Sequence, residues 1–162
     1  MRMFGEDPSR DIIDFFMNQP IFDRMNTEEL KVVARHMSVI DLAPGDILFH
    51  EADKGNFVCF IVRGELDVIK RAEADGHEAM LARLAVGQSI GEMSIVDDAP
   101  RSATARACTQ TLLYTLSKSA FDHILERHTK IGAKMLKGIA RLLCANLRET
   151  SRRLADYIPA IT

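Results

Sequence analysis

Gly91-Glu92-Met93-Ser94-Ile95-Val96-Asp97-Asp98-Ala99-Pro100-Arg101-Ser102-Ala103-Thr104-Ala105 lies between two strand-like segments and is the least strand-like part of its region. The opening glycine lets the backbone approach a ligand without a Cβ, and the apolar run from Met93 to Val96 predicts one helical turn whose free N–H groups face an anion. Pro100 fixes its own φ and biases Ala99 toward an extended conformation, so Arg101 is presented from a rigid turn. Its guanidinium is a planar fork of donors that suits a phosphate. Glu92 beside a bare phosphate would be repelled, whereas a carboxylate beside a ribose accepts a hydroxyl. One acid, one base, a glycine and two small residues with accessible N–H groups, Ser102 and Ala103, together point to a nucleotide monophosphate. Taken alone, Glu92 and Arg101 read as a surface ion pair of little energetic value; their register with Gly91, Pro100, Ser102 and Ala103 favours the ligand reading.

Around this stretch, from Ser38 to Leu116, runs rich in Val, Ile, Phe and Leu alternate with turns. Pro44-Gly45-Asp46, Asp53-Lys54-Gly55, Arg63-Gly64-Glu65, Asp75-Gly76 and Val86-Gly87-Gln88 punctuate runs such as Phe57 to Val62 and Leu66 to Ile69. Short, evenly spaced strands predict an antiparallel sandwich or jelly-roll barrel. Upstream the period is helical: Ser9 is expected to cap a helix carrying Ile12, Ile13, Phe15 and Phe16, broken at Pro20, and Ile21 and Phe22 sit on a short turn. Asn26 or Thr27 caps the next helix, with Glu28 and Glu29 in its first turn and Leu30, Val33, Ala34 and Met37 on one face. Downstream, Ser117 or Ser119 caps a helix bearing Phe121, Ile124 and Leu125, and a break near Thr129 precedes a longer one. There Leu136, Ala140, Leu143, Leu147, Leu154 and Ile158 form an apolar stripe interrupted only by Ser151, on a helix made basic by Lys130, Lys134, Lys137, Arg141, Arg148, Arg152 and Arg153. That stripe is a packing face, against the β-region or against a second subunit.

The order Gly-Glu-Met-Ser-Ile at 91–95, then Pro-Arg-Ser-Ala-Thr at 100–104, resembles the phosphate-binding cassette of cyclic nucleotide-binding domains. Pro44-Gly45-Asp46-Ile47, Glu51, the Phe57-to-Gly64 strand and turn, Leu84 to Gly87, and Pro20-Ile21-Phe22 are similar to other parts of the family pattern, so the resemblance covers nearly the whole chain. It is to the sensor domain of catabolite-activator-like regulators and of cAMP-dependent kinase regulatory subunits, without a DNA-binding domain. It implies a mainly β fold with flanking helices: one domain over 1–162, with N-terminal helices at 1–37, a jelly-roll-type antiparallel β-roll at 38–117 with its cassette at 90–105, and two C-terminal helices at 118–158. It further implies binding without turnover, of cAMP in preference to cGMP, and signalling through movement of the C-terminal helix. By the same resemblance Glu92 takes the ribose 2′-OH and Arg101 the exocyclic phosphate oxygens. The backbone of Gly91, Ser102 and Ala103 takes the rest of the cyclic phosphate, and Met93 and Ser94 complete the set. Related transcription factors pair the equivalent of the last helix with a partner's and use it to touch the base, which makes Asn146 and Arg148 candidates for purine contact and a homodimer through that helix an expectation.

Where many family members have Phe-Gly-Glu-Leu-Ala, this chain has Ile90-Gly91-Glu92-Met93-Ser94, a change at packing positions. Ser102 stands where members with Thr accept cGMP and members with Ala prefer cAMP, and serine is compatible with either. The alternative function is a degenerate, non-binding β-roll that serves only protein contacts.

Composition narrows the field further. With 162 residues and 21 basic against 23 acidic side chains, a formal charge of −2, the chain exerts no global attraction on nucleic acid or anionic lipid, so an anion must be bound locally. The basic face of the last helix reads as solvated, and direct sequence-specific DNA binding is not expected. No run approaches the about 18 apolar residues of a membrane span, and the N-terminus, with Glu6, Asp7 and Asp11, lacks a signal-peptide pattern, so a cytoplasmic protein is expected. Cys59, Cys108 and Cys144 are odd in number and widely spaced, which argues against disulfides and zinc. His123 and His128 would lie about 140° apart on a helix, Asp97 and Asp98 polarise a loop tip, and His50 and His77 read as surface or core. No metal, cofactor or catalytic set is expected, and the chain reads as a sensor, not an enzyme, that works on an unidentified effector protein.

Overall fold

The computed structural model describes residues 8–160; Glu6 and Asp7 lie outside them. Eight strands form two four-stranded antiparallel sheets: β1 (Met37–Leu42), β8 (Thr111–Ser117), β3 (Phe57–Arg63) and β6 (Ser89–Ile90) in one, and β2 (Ile47–Phe49), β7 (Thr104–Ala107), β4 (Leu66–Arg71) and β5 (Glu78–Leu84) in the other. Helices α1 (Pro8–Phe16) and α2 (Thr27–Ala34) precede the sheets, with a 3-10 turn at Pro20–Phe22 between them; α3 (Glu92–Asp97) interrupts the sheets, and α4 (Lys118–Arg127) and α5 (Thr129–Ala155) follow. This is the β-roll with flanking helices that the sequence anticipates.

Strand periodicity explains how the core is divided. β3 is buried on both faces because alternate side chains serve different clusters. Val58 and Phe60 join Phe16, Phe22, Leu30, Tyr114, Ile124 and Met135 beneath the helices, while Cys59 and Ile61 join Leu42, Leu66, Ala107 and Leu113 between the sheets. The helical cluster is organised around Phe16, whose ring centre lies 4.5 Å from that of Phe22 and 4.9 Å from that of Phe60, both edge-on. Edge-on pairs of this kind add about 0.5–1.5 kcal/mol each beyond the area they bury.

Local signals set most boundaries. Asn26, rather than Thr27, caps α2: it accepts from the Glu29 N–H at 2.9 Å, while the Glu29 carboxylate accepts the Asn26 N–H at 3.0 Å, a reciprocal capping box. Ser117, rather than Ser119, caps α4 by accepting from the Ala120 N–H at 3.1 Å. His128, at φ −130° and ψ 60°, makes the break between α4 and α5. Two boundaries differ from expectation. α1 opens at Pro8, a residue suited to a first helical turn, so Ser9 lies inside the helix rather than capping it. Met37 opens β1 opposite Leu116 instead of closing the face of α2.

The face of α5 also differs. Ile131, Gly132, Met135, Gly138 and Ile139 are the buried residues of this helix, whereas Leu147 and Leu154 of the expected stripe are more than half exposed and Ile158 lies beyond the helix end. The glycines decide the face, because a Cβ on Gly138 would stand 2.2 Å from the Ile21 carbonyl oxygen and one on Gly132 would stand 2.7 Å from Leu125 Cα. Two ion pairs hold the same orientation, Lys134 with Glu29 at 2.8 Å and Arg141 with Asp23 at 3.1 Å. On an exposed helix, Gly138→Ala would stabilise by up to about 1 kcal/mol; here the overpacking, about 1–3 kcal/mol, has the opposite sign and wins. Thermal or urea unfolding of Gly138→Ala is therefore expected to show a loss of stability, and a gain would contradict this docking of α5.

Candidate functional site

The cassette leaves the sheet after β6 and returns at β7, with α3 between two left-handed residues, Gly91 at φ +93° and Asp98 at φ +59°. Aspartate tolerates that region because its short polar side chain bonds locally. Asp98 pairs with Lys118 at 3.0 Å, and Asp97 accepts the Ala99 N–H at 3.0 Å, so these acids tie down the loop end. Among the described residues no cluster of three or more metal-ligating side chains occurs.

Arg101 enters this frame with its backbone already fixed. Its N–H donates to the Asp53 carbonyl at 2.8 Å and its carbonyl accepts from the Ala52 N–H at 2.9 Å. Its side chain is 3% exposed. Nη2 donates to the Phe57 carbonyl at 2.7 Å and Nη1 to that of Gly91 at 3.4 Å, and the guanidinium carbon stands 4.0 Å from the ring centre of Phe49 and 4.6 Å from that of Phe57. A Cβ on Gly91 would lie 2.4 Å from Arg101 Nη1 and 2.8 Å from the Phe57 oxygen. The glycine thus makes room for the arginine, where the sequence suggested room for a ligand.

Glu92 is 7% exposed. Its Oε2, like Arg101 Nε, has no hydrogen-bond partner among the described residues. The surface ion-pair reading therefore fails: both groups are buried, and each keeps an unsatisfied polar atom. Leaving such atoms unmatched costs about 1–3 kcal/mol each, more for charged groups. Burial raises the Glu92 carboxyl above its usual range, against the opposing pull of a hydrogen bond from its own backbone and of Arg101. Burial pushes the Arg101 guanidinium down, opposed by the Cys59, Glu92 and Asp53 sites around it. The nearby Cys59 thiol is pushed up to about 12 by burial and is a packing group, not a nucleophile.

Gly91, Glu92, Met93, Ser94, Arg101, Ser102 and Ala103 all line one cavity of about 200 Å³, which Phe49, Val68 and Leu84 wall and Asn146 of α5 overhangs. Arg148 does not line it. Two further cavities, of about 260 and 380 Å³, meet the first at Glu92 and Asn146. Nothing in the sequence marks Phe49, Phe57, Val68 and Leu84 as site residues; they come from β2 to β5 and reach the cassette only through strand pairing.

The structure is thus a β-roll whose helical interruption buries an acid and a base beside a small cavity. Residues 39–128 match the model of the cyclic nucleotide-binding domain, and the chain belongs to that family. It is 26% identical over 138 residues to a CRP-like cAMP-activated global transcriptional regulator of Mycobacterium tuberculosis, across 85% of this chain and 59% of the regulator. It is 28% identical over 128 residues to a cAMP-dependent protein kinase regulatory subunit of Mycosarcoma maydis, across 72% of this chain and 24% of that one. The crystal structure of a cyclic nucleotide-binding domain from Methylobacillus flagellatus superposes with a TM-score of 0.84 at 28% identity, over 95% of this chain and 86% of that one. The chain thus spans less than two thirds of the length of these two relatives. The family is a regulatory one and generally not enzymatic. Among the described residues no helix is long and apolar enough to cross a membrane.

Because the Glu92 carboxyl is raised in the folded chain, that chain binds more protons than the unfolded one from the ordinary carboxylate value up to the raised value. Stability is accordingly fullest below this window and falls as pH rises through it. Glu92→Gln is expected to flatten that part of the pH dependence and to melt higher than the unaltered, ligand-free chain at neutral pH. Superimposable melting profiles across this window would contradict the burial.

Proposed function

We propose that this domain binds a purine 3′,5′-cyclic nucleotide, cAMP in preference to cGMP, and reports occupancy through the position of α5. The observation that carries this reading is the pair of orphaned polar atoms, Glu92 Oε2 and Arg101 Nε, on side chains that line one cavity. A sugar-phosphate supplies both missing partners: a ribose 2′-OH donates to the Glu92 carboxylate, and a phosphate oxygen accepts from the guanidinium. Arg101 has five N–H donors and commits one each from Nη1 and Nη2 to carbonyls, so three, Nε among them, remain for the ligand. The backbone of Gly91, Ser102 and Ala103 completes the phosphate cradle, with Met93 and Ser94 shaping its floor. A purely scaffolding β-roll leaves the two orphaned atoms unexplained.

Asn146 supports a purine, since an amide offers an acceptor and a donor together and matches the N6/N7 edge of adenine. A nucleotide that touches both the cassette and Asn146 favours one placement of α5 and shifts the equilibrium by its differential affinity. Leu147, Leu154, Tyr157 and Ile158 leave an apolar surface on and just beyond α5, which we assign to pairing with a second copy of the chain.

Titration calorimetry with cAMP and cGMP is expected to give saturable heat with the first nucleotide at lower concentration than with the second. Arg101→Lys keeps the charge but loses the fork and should weaken binding about ten- to a hundred-fold, the range for one hydrogen bond to a charged group. Lysine is the sounder replacement, because Arg101→Ala also strips the Phe57 carbonyl of its donor. No heat with either nucleotide at near-millimolar concentration would overturn the proposal.

A further inference from the structure

We infer that Lys70 and Glu51, which lie outside the nucleotide cavity, are positioning residues that hold the Ser102–Ala103 backbone in its phosphate-facing orientation; the inference rests on the binding function proposed above. Ser102 and Ala103 precede β7, so no sheet ladder orients the peptide between them. Lys70, near the end of β4, supplies the missing restraint: its Nζ donates to the Ser102 carbonyl at 2.8 Å and stands 3.2 Å from Glu51 Oε1. Glu51 is itself fixed, because its Oε2 accepts the Arg71 N–H at 3.2 Å and its own N–H donates to Thr104 Oγ1 at 2.9 Å. The Arg71 N–H and then Lys70 hold the Glu51 carboxyl below its usual range, which keeps the pair charged.

Peptide planarity turns this contact into a constraint on the ligand side. No cis bond occurs among the described residues, and in a trans peptide the carbonyl and the following N–H point in opposite directions. Holding the Ser102 oxygen toward Lys70 therefore aims the Ala103 N–H away from it and fixes the tilt of the whole 102–103 unit. Ser102 and Ala103 line the nucleotide cavity, whereas Glu51 and Thr104 line a separate surface hollow of about 480 Å³. The two side chains reach the ligand only through the backbone they hold. Both flanks of the held peptide are pinned as well, Arg101 by Ala52 and Asp53, and Thr104 by the Glu51 N–H.

The sign of one substitution separates positioning from simple charge. Glu51 is an anion near an anionic ligand, so if charge alone mattered, Glu51→Gln would tighten binding. If the pair positions the cradle, Glu51→Gln loosens Lys70 and weakens binding. The experiment is calorimetry of the whole chain with cAMP for Glu51→Gln, Lys70→Met and Lys70→Arg, with thermal melts of each. Glu51→Gln and Lys70→Met are expected to bind about five-fold more weakly, the effect of one ordinary hydrogen bond. Lys70→Arg should recover most of the affinity, with all three melting close to the unaltered chain. Unchanged or tighter binding by Glu51→Gln, in a chain that itself binds cAMP, overturns this inference and leaves the proposed function standing. Absence of binding by the unaltered chain overturns the proposed function and this inference with it.

Discussion

A guanidinium that is almost wholly removed from water needs carbonyl acceptors, aromatic faces and a neighbouring backbone free of a Cβ, and Arg101 has all three. Phe57 supplies its carbonyl and ring from β3, Phe49 supplies a second ring from β2, and Gly91 gives way at the start of the cassette. Each sheet contributes, so the cassette can adopt its shape only on a folded β-roll. The relation also runs the other way, because Arg101 joins β3, β2 and the loop before β7 at one point. Its Nε and the buried Oε2 of Glu92 are the buried polar atoms that have no hydrogen-bond partner among the described residues. The function proposed above rests on these two atoms, because a sugar-phosphate would supply a partner to each.

The cassette was legible because its determinants are close in sequence. A glycine, a proline and two opposite charges within one strand-loop-strand unit state a local geometry, and residues 91–94 and 101–103 line one cavity. The walls were not legible. Phe49, Phe57, Val68 and Leu84 look like ordinary strand residues, and only antiparallel pairing of β2 with β7, β4 with β7, β5 with β4 and β3 with β6 carries them to the cassette. The role of Gly91 was half legible: a Cβ is excluded there as the sequence suggests, but the group that needs the space is Arg101 Nη1, ten positions away.

The last helix shows where a hydrophobic count misleads. Of the expected leucine stripe Leu143 packs against the core while Leu136, Leu147 and Leu154 are exposed, and the docked face is instead marked by Ile131, Met135 and Ile139 with Gly132 and Gly138, which allow backbone to approach closely. As a result α5 falls into two halves. The first is held to α2 and the 3-10 turn by Gly138, Lys134–Glu29 and Arg141–Asp23, while the second overhangs the cavity at Asn146 with an uncovered apolar face. The proposed readout through α5 relies on this division, with one half anchored and the other bordering the cavity.

In the function proposed here, Glu92 and Arg101, buried and incompletely satisfied, receive a ribose hydroxyl and a phosphate. The most direct measurement is a crystal structure of the chain grown with cAMP. The expected complex has the phosphate within hydrogen-bond distance of Arg101, including Nε, a ribose hydroxyl on the Glu92 carboxylate, and the base against Asn146. A nucleotide seated elsewhere, with Glu92 Oε2 and Arg101 Nε still without partners, would contradict it.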